Sequence, residues 1–137
     1  MKVIFDTNIW ITMLMGFQEH FFRDLFKSRI FEVFICDEII QEVHSVSFRD
    51  KFKNRIDDTN RNRLNALFSK ACKHAIITKS ADTQIRDSKD IYLLSFAESI
   101  KADYLVSGDK DLLVLKHHEA TKIVSLSEFK IILDSVI

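Results

Sequence analysis

The chain opens with a short apolar run that stops at an aspartate, and this run constrains the fold more than any other stretch. Val3, Ile4 and Phe5 are β-branched or aromatic, and a run this short and apolar is typical of a strand buried on both faces of a parallel sheet. A carboxylate at the end of such a strand is costly to desolvate unless a cation or hydrogen-bond donors meet it. Ligands bind at the carboxyl ends of strands in open α/β sheets, so Asp6 is a candidate functional residue.

Segments of strand length alternate with segments of helical periodicity along the chain. Strands are predicted at residues 3–5, 31–35, 75–78, 104–107 and 122–124, and helices at 9–15, 17–27, 37–46 and 87–100, with one or two more within 49–73 and a last one after 125. Thr7 or Asn8 is expected to cap the first helix, and Ser125 and Glu128 have capping-box spacing for the last. This alternation predicts an α/β fold, a three-layer α/β/α sandwich around a central, mostly parallel sheet.

Length and composition are those of one globular domain, residues 1–137. A chain of 137 residues can bury a core without disulfides or structural metals, and a content of 47% hydrophobic and 29% charged residues is ordinary for a folded protein. No signal segment or membrane span is predicted, so we expect a cytoplasmic protein. Cys36 and Cys72 have no metal-binding spacing, and we expect both to be reduced thiols.

The charges are unevenly distributed although the net charge is zero. Residues 49–79 carry nine Lys and Arg against three Asp and Glu, whereas both flanking regions are acidic. A cationic segment beside acidic ones suits an enzyme that acts on a polyanion, and a solvated helical surface is the alternative. The candidate contacts to a nucleic-acid backbone are Arg49, Lys51, Lys53, Arg55, Arg61 and Arg63.

Acidic residues recur where the predicted sheet would gather them. They are Asp6 after the first strand, Glu42 on the helix after the second, Asp87 and Asp90 at the start of the helix after the third, and Asp109 and Asp111 after the fourth. One such acid is more often a helix cap or turn residue, but several at one edge repel each other unless a cation neutralises them. Oxygen ligands without histidine or cysteine favour Mg²⁺ or Mn²⁺. The five histidines lack metal-ligand spacing, and all are expected to be ordinary surface residues.

Several of these segments together resemble one known family. Val-Ile-Phe-Asp-Thr-Asn at 3–8, Asp-Ser-Lys-Asp at 87–90, Ala-Asp-Tyr-Leu-Val-Ser-Gly-Asp-Lys-Asp-Leu at 102–112 and Ile-Val-Ser-Leu-Ser-Glu-Phe at 123–129 are similar, in this order, to PIN-domain proteins. The similarity spans nearly the whole chain and is greatest to the VapC-like toxins of bacterial and archaeal toxin–antitoxin pairs. Departures are the lack of proline and the presence of Ile91, where relatives often have an acid or amide.

The resemblance implies a Mg²⁺- or Mn²⁺-dependent endoribonuclease that cuts single-stranded or loop RNA and is silenced by a small antitoxin protein. Its catalytic and metal-binding acids would be Asp6, Glu42, Asp90 and Asp109, with Glu38, one turn before Glu42, as the alternative on that helix. Thr7, Asn8 and Ser107 would orient carboxylates or water, and Asp111 would be an auxiliary acid.

Two other enzyme or signalling classes fit the sequence much less well than a nuclease. A phosphatase of the haloacid dehalogenase type would need an aspartate where Asn8 stands, and a receiver domain would need an acid pair where Phe5 precedes Asp6. A degenerate PIN domain that binds RNA or protein is the non-enzymatic alternative, and a housekeeping RNA-processing nuclease is a further one. The apolar helices at 9–15 and 17–27 suit either a homodimer interface or burial in the core.

Overall fold

The computed structural model of the protein describes residues 1–81 and 88–137, without the side chains of Ser88 and Lys89. The strands are β1 (Lys2–Phe5), β2 (Glu32–Ile35), β3 (Lys73–His74), β4 (Tyr104–Val106), β5 (His117–His118) and β6 (Thr121–Val124). The helices are α1 (Thr7–Leu14), α2 (Glu19–Ser28), α3 (Asp37–Ser47), α4 (Asp58–Ala71), α5 (Ser88–Ile100), α6 (Lys110–Leu113) and α7 (Leu126–Val136), and a 3₁₀ turn lies at Asp50–Phe52. Asp87, predicted at the start of a helix, lies outside the described ranges.

The strands form one sheet in the order β3-β2-β1-β4-β6-β5. β5 is antiparallel to β6, and the other pairs are parallel. The three apolar residues of β1 are fully buried, because helices cover both faces of this central strand. The structure therefore confirms the predicted α/β sandwich with a mostly parallel sheet. β1 and β4 are neighbours in register, with Phe5 opposite Val106, so the residues that follow these two strands lie side by side.

Three local predictions were wrong or incomplete. The third strand is at Lys73–His74 and not at 75–78, because its position is set by pairing with Phe34 and Ile35 of β2. The chain then leaves the sheet, and the backbone N–H groups of Thr78 and Lys79 donate to the Ser99 hydroxyl on α5. The cap of α1 is Asp6, whose side chain accepts the Thr7 N–H, and not Thr7 or Asn8. The short elements β5 and α6 were not predicted.

The apolar helix α1 is buried by its own chain. Ile9, Trp10, Ile11 and Leu14 are almost inaccessible, and α1 packs against α3 and α4. The Trp10 ring meets Phe68 of α4 edge-on, with ring centroids 5.0 Å apart. Packing in the core thus accounts for the apolar character of this helix without a second protomer.

Both cysteines are buried free thiols. Burial raises the pKa of Cys36 to about 11 and that of Cys72 to about 12, so both remain protonated and unreactive at neutral pH. Within the described ranges, no helix is both long and apolar enough to cross a membrane.

A cluster of aromatic side chains joins α7 to the sheet. Phe129 is fully buried, and its ring packs within about 6 Å, centroid to centroid, of four others: Phe5, Phe21, Phe31 and Tyr104. A buried aromatic residue of this kind stabilises the fold through the apolar area that it buries and through the edge-to-face geometry of its ring contacts.

We expect Phe129→Ala to lower the free energy of unfolding by about 3–5 kcal/mol, because the variant leaves a cavity among four rings. Ile131→Ala, on the same helix but 70% exposed, is the matched control and should change it by less than about 0.5 kcal/mol. Urea denaturation followed by circular dichroism measures both. A loss below about 1 kcal/mol for Phe129→Ala would contradict this packing.

Candidate active site

Asp6 lies at the carboxyl end of the central strand β1, where it also begins α1. Its backbone N–H donates to the Val106 carbonyl oxygen at 2.9 Å, which continues the pairing of β1 with β4. Its Oδ1 accepts the Thr7 backbone N–H at 2.6 Å, and its Oδ2 accepts the Ser107 hydroxyl at 2.7 Å. The residue is 8% exposed. Asp6 is thus a buried carboxylate held by two donors in a fixed orientation.

Ser107 connects Asp6 to the acids that follow β4. Its hydroxyl donates to Asp6 and accepts the Asp109 backbone N–H at 3.0 Å. Asp109 caps the short helix α6, and its Oδ1 accepts the Asp111 backbone N–H at 2.9 Å. The segment after β4 is therefore ordered by bonds that run back to the end of β1.

The electrostatic environment of Asp6 disfavours its charge. Burial raises the pKa of Asp6 above its usual 3.8, and the hydrogen bonds from Ser107 and Thr7 offset this only in part. The negative charges of Glu42 and Asp109 raise the pKa of Asp6 further. A bound proton or cation would relieve this cost.

A second group of carboxylates shares Asp109 with the first. Oxygen atoms of Asp90, Asp109 and Asp111 lie within 4.8 Å of one another. Asp90 is buried in the first turn of α5, so that two different helices and the loop after β4 bring the three together. Three carboxylates without nitrogen or sulfur ligands match Mg²⁺ or Mn²⁺ in ligand chemistry.

Glu42 reaches the site from α3. Its Oε2 accepts the Tyr92 hydroxyl at 2.5 Å, while Glu38, the alternative on this helix, is solvent-exposed. Tyr92 was not predicted as a site residue. The sequence signal that could have singled it out is weak: a hydroxyl-bearing side chain two residues after a predicted metal ligand.

The predicted orienting residues differ in how they take part. Ser107 bonds to Asp6 through its side chain, as expected, but Thr7 does so through its backbone N–H. The Thr7 hydroxyl is buried and makes no hydrogen bond within the described part of the chain. Asn8 is exposed on the first turn of α1.

Five of the six predicted RNA-contacting cations are exposed: Arg49, Lys51, Lys53, Arg55 and Arg63. The side chain of the sixth, Arg61, is only 13% exposed. Its guanidinium donates to the Ser47 hydroxyl and carbonyl oxygens at 3.0 and 2.8 Å and to Asp58 at 2.9 Å. It also lies 3.8 Å above the Phe48 ring. Arg61 therefore ties α4 to the end of α3.

The expectation of five surface histidines was wrong for His118. The antiparallel return of β5 toward β6 brings its side chain, 12% exposed, to 2.8 Å from Glu98 near the end of α5. Glu119 adds a further potential ligand atom within 4.8 Å. These three residues lie before β6, at the edge of the sheet where the parallel strands begin, whereas Asp6 lies at the opposite edge. The contact between His118 and Glu98 is sufficient to explain why the side chains lie together.

The fold and the site together define a class of protein: an α/β domain with a cluster of carboxylates at the carboxyl edge of its sheet. The chain belongs to the PIN domain family, whose model matches residues 2–111. PIN domains are generally nucleases. None of the curated proteins compared with the chain matches it in sequence.

Two solved structures show the same fold at low sequence identity. One is the crystal structure of VapBC2 from Rickettsia felis bound to a DNA fragment from the promoter of these proteins. Its TM-score is 0.63, with 14% sequence identity, and the match covers 91% of this chain and 98% of that one. The other is the PIN domain of human SMG5, with a TM-score of 0.51 and 15% identity over 95% of this chain and 96% of that one. Both cover nearly the full length of this chain, so the fold comparison includes its C-terminal part.

Replacing Asp6 should change how the stability of the metal-free protein depends on pH. Because the pKa of Asp6 is raised, its contribution to stability is most favourable below its usual 3.8 and is lost as the pH rises through the raised value. Asp6→Asn removes this titration, although its amide offers one acceptor oxygen where the carboxylate offers two to Thr7 and Ser107. In EDTA, the free energy of unfolding of Asp6→Asn relative to that of the wild type should therefore rise by roughly 0.5–2 kcal/mol from pH 4 to neutral pH. Urea denaturation across this pH range measures the difference.

The exposed Asp134 of α7 offers the control for charge removal, since Asp134→Asn should leave stability unchanged over the same pH range. An Asp6→Asn protein whose stability relative to the wild type does not rise between pH 4 and neutral pH would contradict the destabilising role of this buried charge.

Proposed function

We propose that the protein is a Mg²⁺- or Mn²⁺-dependent endoribonuclease that hydrolyses phosphodiester bonds in single-stranded or loop RNA. The observation that carries the proposal is the convergence of Asp90, Asp109 and Asp111 beside the Asp6 and Glu42 pair at one edge of the sheet. Membership of the PIN family supports a nuclease in general terms.

The cation would be held by Asp90, Asp109 and Asp111, with Asp6 and Glu42 adjoining. When bound, it supplies charge neutralisation and Lewis-acid activation for phosphodiester hydrolysis. Ser107 keeps the Asp6 carboxylate in place from one side and the Thr7 N–H does so from the other, so this acid needs no rearrangement to receive a ligand.

The exposed cations between positions 49 and 63 are proposed to attract the RNA backbone. They lie just before, within and after the 3₁₀ turn and on α4, and all of these segments follow the helix that carries Glu42. Their attraction is electrostatic and independent of base sequence, as expected for a backbone contact. Arg61 is excluded from this set because the protein itself binds its guanidinium.

In the cell, we propose that the protein acts in the cytoplasm as the toxin of a toxin–antitoxin pair and that a small antitoxin protein inhibits it. The similarity in fold to VapBC2 supports this role. The burial of α1 in the core removes one reason to invoke a homodimer.

We expect Asp90→Asn and Asp109→Asn each to lower metal-dependent RNA cleavage by about 100-fold or more, since even outer partners of metal ligands are worth 10–100-fold. Single-stranded RNA with a fluorophore and quencher, incubated with Mn²⁺ or with EDTA, measures the rates. Asp24→Asn, an exposed acid on α2, should cleave at the wild-type rate.

Cleavage that survives both substitutions, or that proceeds fully in EDTA, would refute the proposal. RNA binding by the wild type without any cleavage in Mn²⁺ would instead favour the degenerate RNA-binding domain.

The basic segment gives a separate prediction. Lys51→Ala and Lys53→Ala should each weaken RNA binding uniformly across sequences and reduce the slope of log affinity against log salt by about 0.7. Arg61→Ala is the comparison: it should lower the urea midpoint, because it breaks the contacts with Ser47 and Phe48, and leave the salt slope unchanged. Fluorescence anisotropy at several salt concentrations tests this, and unchanged slopes for both lysine variants would contradict it.

A further inference from the structure

Tyr92 joins the helix of one site acid to the helix of another. It lies on α5, two residues after Asp90, and its phenol oxygen is 2.5 Å from Oε2 of Glu42 on α3. The two residues are 50 positions apart in the chain. The contact is therefore tertiary, and it is made where α3 and α5 both approach the carboxyl edge of the sheet.

The phenol acts as a neutral donor. A tyrosine hydroxyl is uncharged at physiological pH, since phenols ordinarily titrate near pH 10. The Tyr92 hydroxyl therefore donates a hydrogen bond to the Glu42 carboxylate. Hydrogen bonds from a donor to an ionised acceptor are among the stronger ones in proteins.

Glu42 has a reason to move away from the site in the absence of this contact. Its charge acts on the nearby Asp6, with Asp109 also close, and like charges at such distances repel one another. Glu42 itself is only partly buried, and Gln41 and Glu38 on the same helix are solvent-exposed, so water is available to its carboxylate. A lysine or arginine in place of Tyr92 would hold Glu42 but would also neutralise the charge that a cation needs.

We propose that Tyr92 is a positioning residue that holds Glu42 against the acidic site, so that Glu42 adds its charge to cation binding there. A carboxylate has about four acceptor positions on its two oxygens, so the bond to Tyr92 leaves Glu42 able to bind a ligand or water. Only the second half of this inference, the binding of a cation, rests on the proposed function.

A double-mutant cycle without metal tests the contact itself. Tyr92→Phe removes only the hydroxyl, Glu42→Ala removes the acceptor, and the double variant completes the cycle. In EDTA, we expect the two changes to be coupled, so that their combined effect on the unfolding equilibrium constant differs from the product of the single effects by about tenfold or more. Tyr104→Phe is the control, since Tyr104 begins β4 at the end opposite Ser107. Independent, multiplicative effects would overturn the inference.

Calorimetric titration with Mn²⁺ tests whether the contact between Tyr92 and Glu42 strengthens cation binding. Tyr92→Phe should weaken Mn²⁺ binding by about 10–100-fold when Glu42 is present, and should have no further effect in the Glu42→Ala protein. Equal loss in both backgrounds, or unchanged Mn²⁺ affinity despite coupling in the first cycle, would overturn the positioning role.

The outcomes separate this inference from the proposed function. A wild-type protein that fails to bind Mn²⁺ refutes the proposed function, and the role of Tyr92 in cation binding falls with it. A wild-type protein that binds Mn²⁺ and cleaves RNA, with a Tyr92→Phe variant identical to it in both respects, refutes the positioning role alone.

Discussion

The charge of Asp6, buried at the end of the central strand, is the constraint on which the rest of the site depends. Helices cover both faces of β1, so water cannot solvate this carboxylate freely. The fold compensates in two ways, with the N–H at the start of α1 and with the Ser107 hydroxyl from the neighbouring strand. It also places Glu42 and Asp109 nearby, which increases the cost. A cluster of this kind lowers stability, as functional sites often do.

The parts of the fold and the site that follow from short stretches of sequence were predictable. Asp6 comes directly after a strand that is recognisable by its apolar composition, and Asp109 comes three residues after the end of another. Parallel strands place their carboxyl ends at one edge. Their proximity follows from the pairing of β1 with β4. The position of Glu42 follows less directly, because helical spacing alone does not distinguish it from Glu38. What distinguishes the two is exposure, which depends on the packing of α3 against the sheet.

The remaining features depend on partners far away in the chain. Tyr92 is significant only because Glu42 lies beside it, Arg61 because Ser47 and Phe48 do, and His118 because β5 turns back toward α5. Composition placed Arg61 with the solvent-exposed cations, yet its planar guanidinium suits a stacked site between two helices. The register of β3 was missed for the same reason, since β2 and not local apolarity decides which residues pair.

The hydrogen bonds around Ser107 run in a single direction. The Asp111 N–H donates to the Asp109 carboxylate, the Asp109 N–H donates to the Ser107 hydroxyl, and that hydroxyl donates to Asp6. Because Ser107 has only one hydroxyl proton, it cannot donate to Asp6 and to a second acceptor at once. The acids after β4 and the acid after β1 are therefore connected by one chain of hydrogen bonds. A substitution of Ser107 would remove the donor to Asp6 and the acceptor of the Asp109 N–H at once, so the orientation of Asp6 and the path of the chain after β4 depend on the same hydroxyl group.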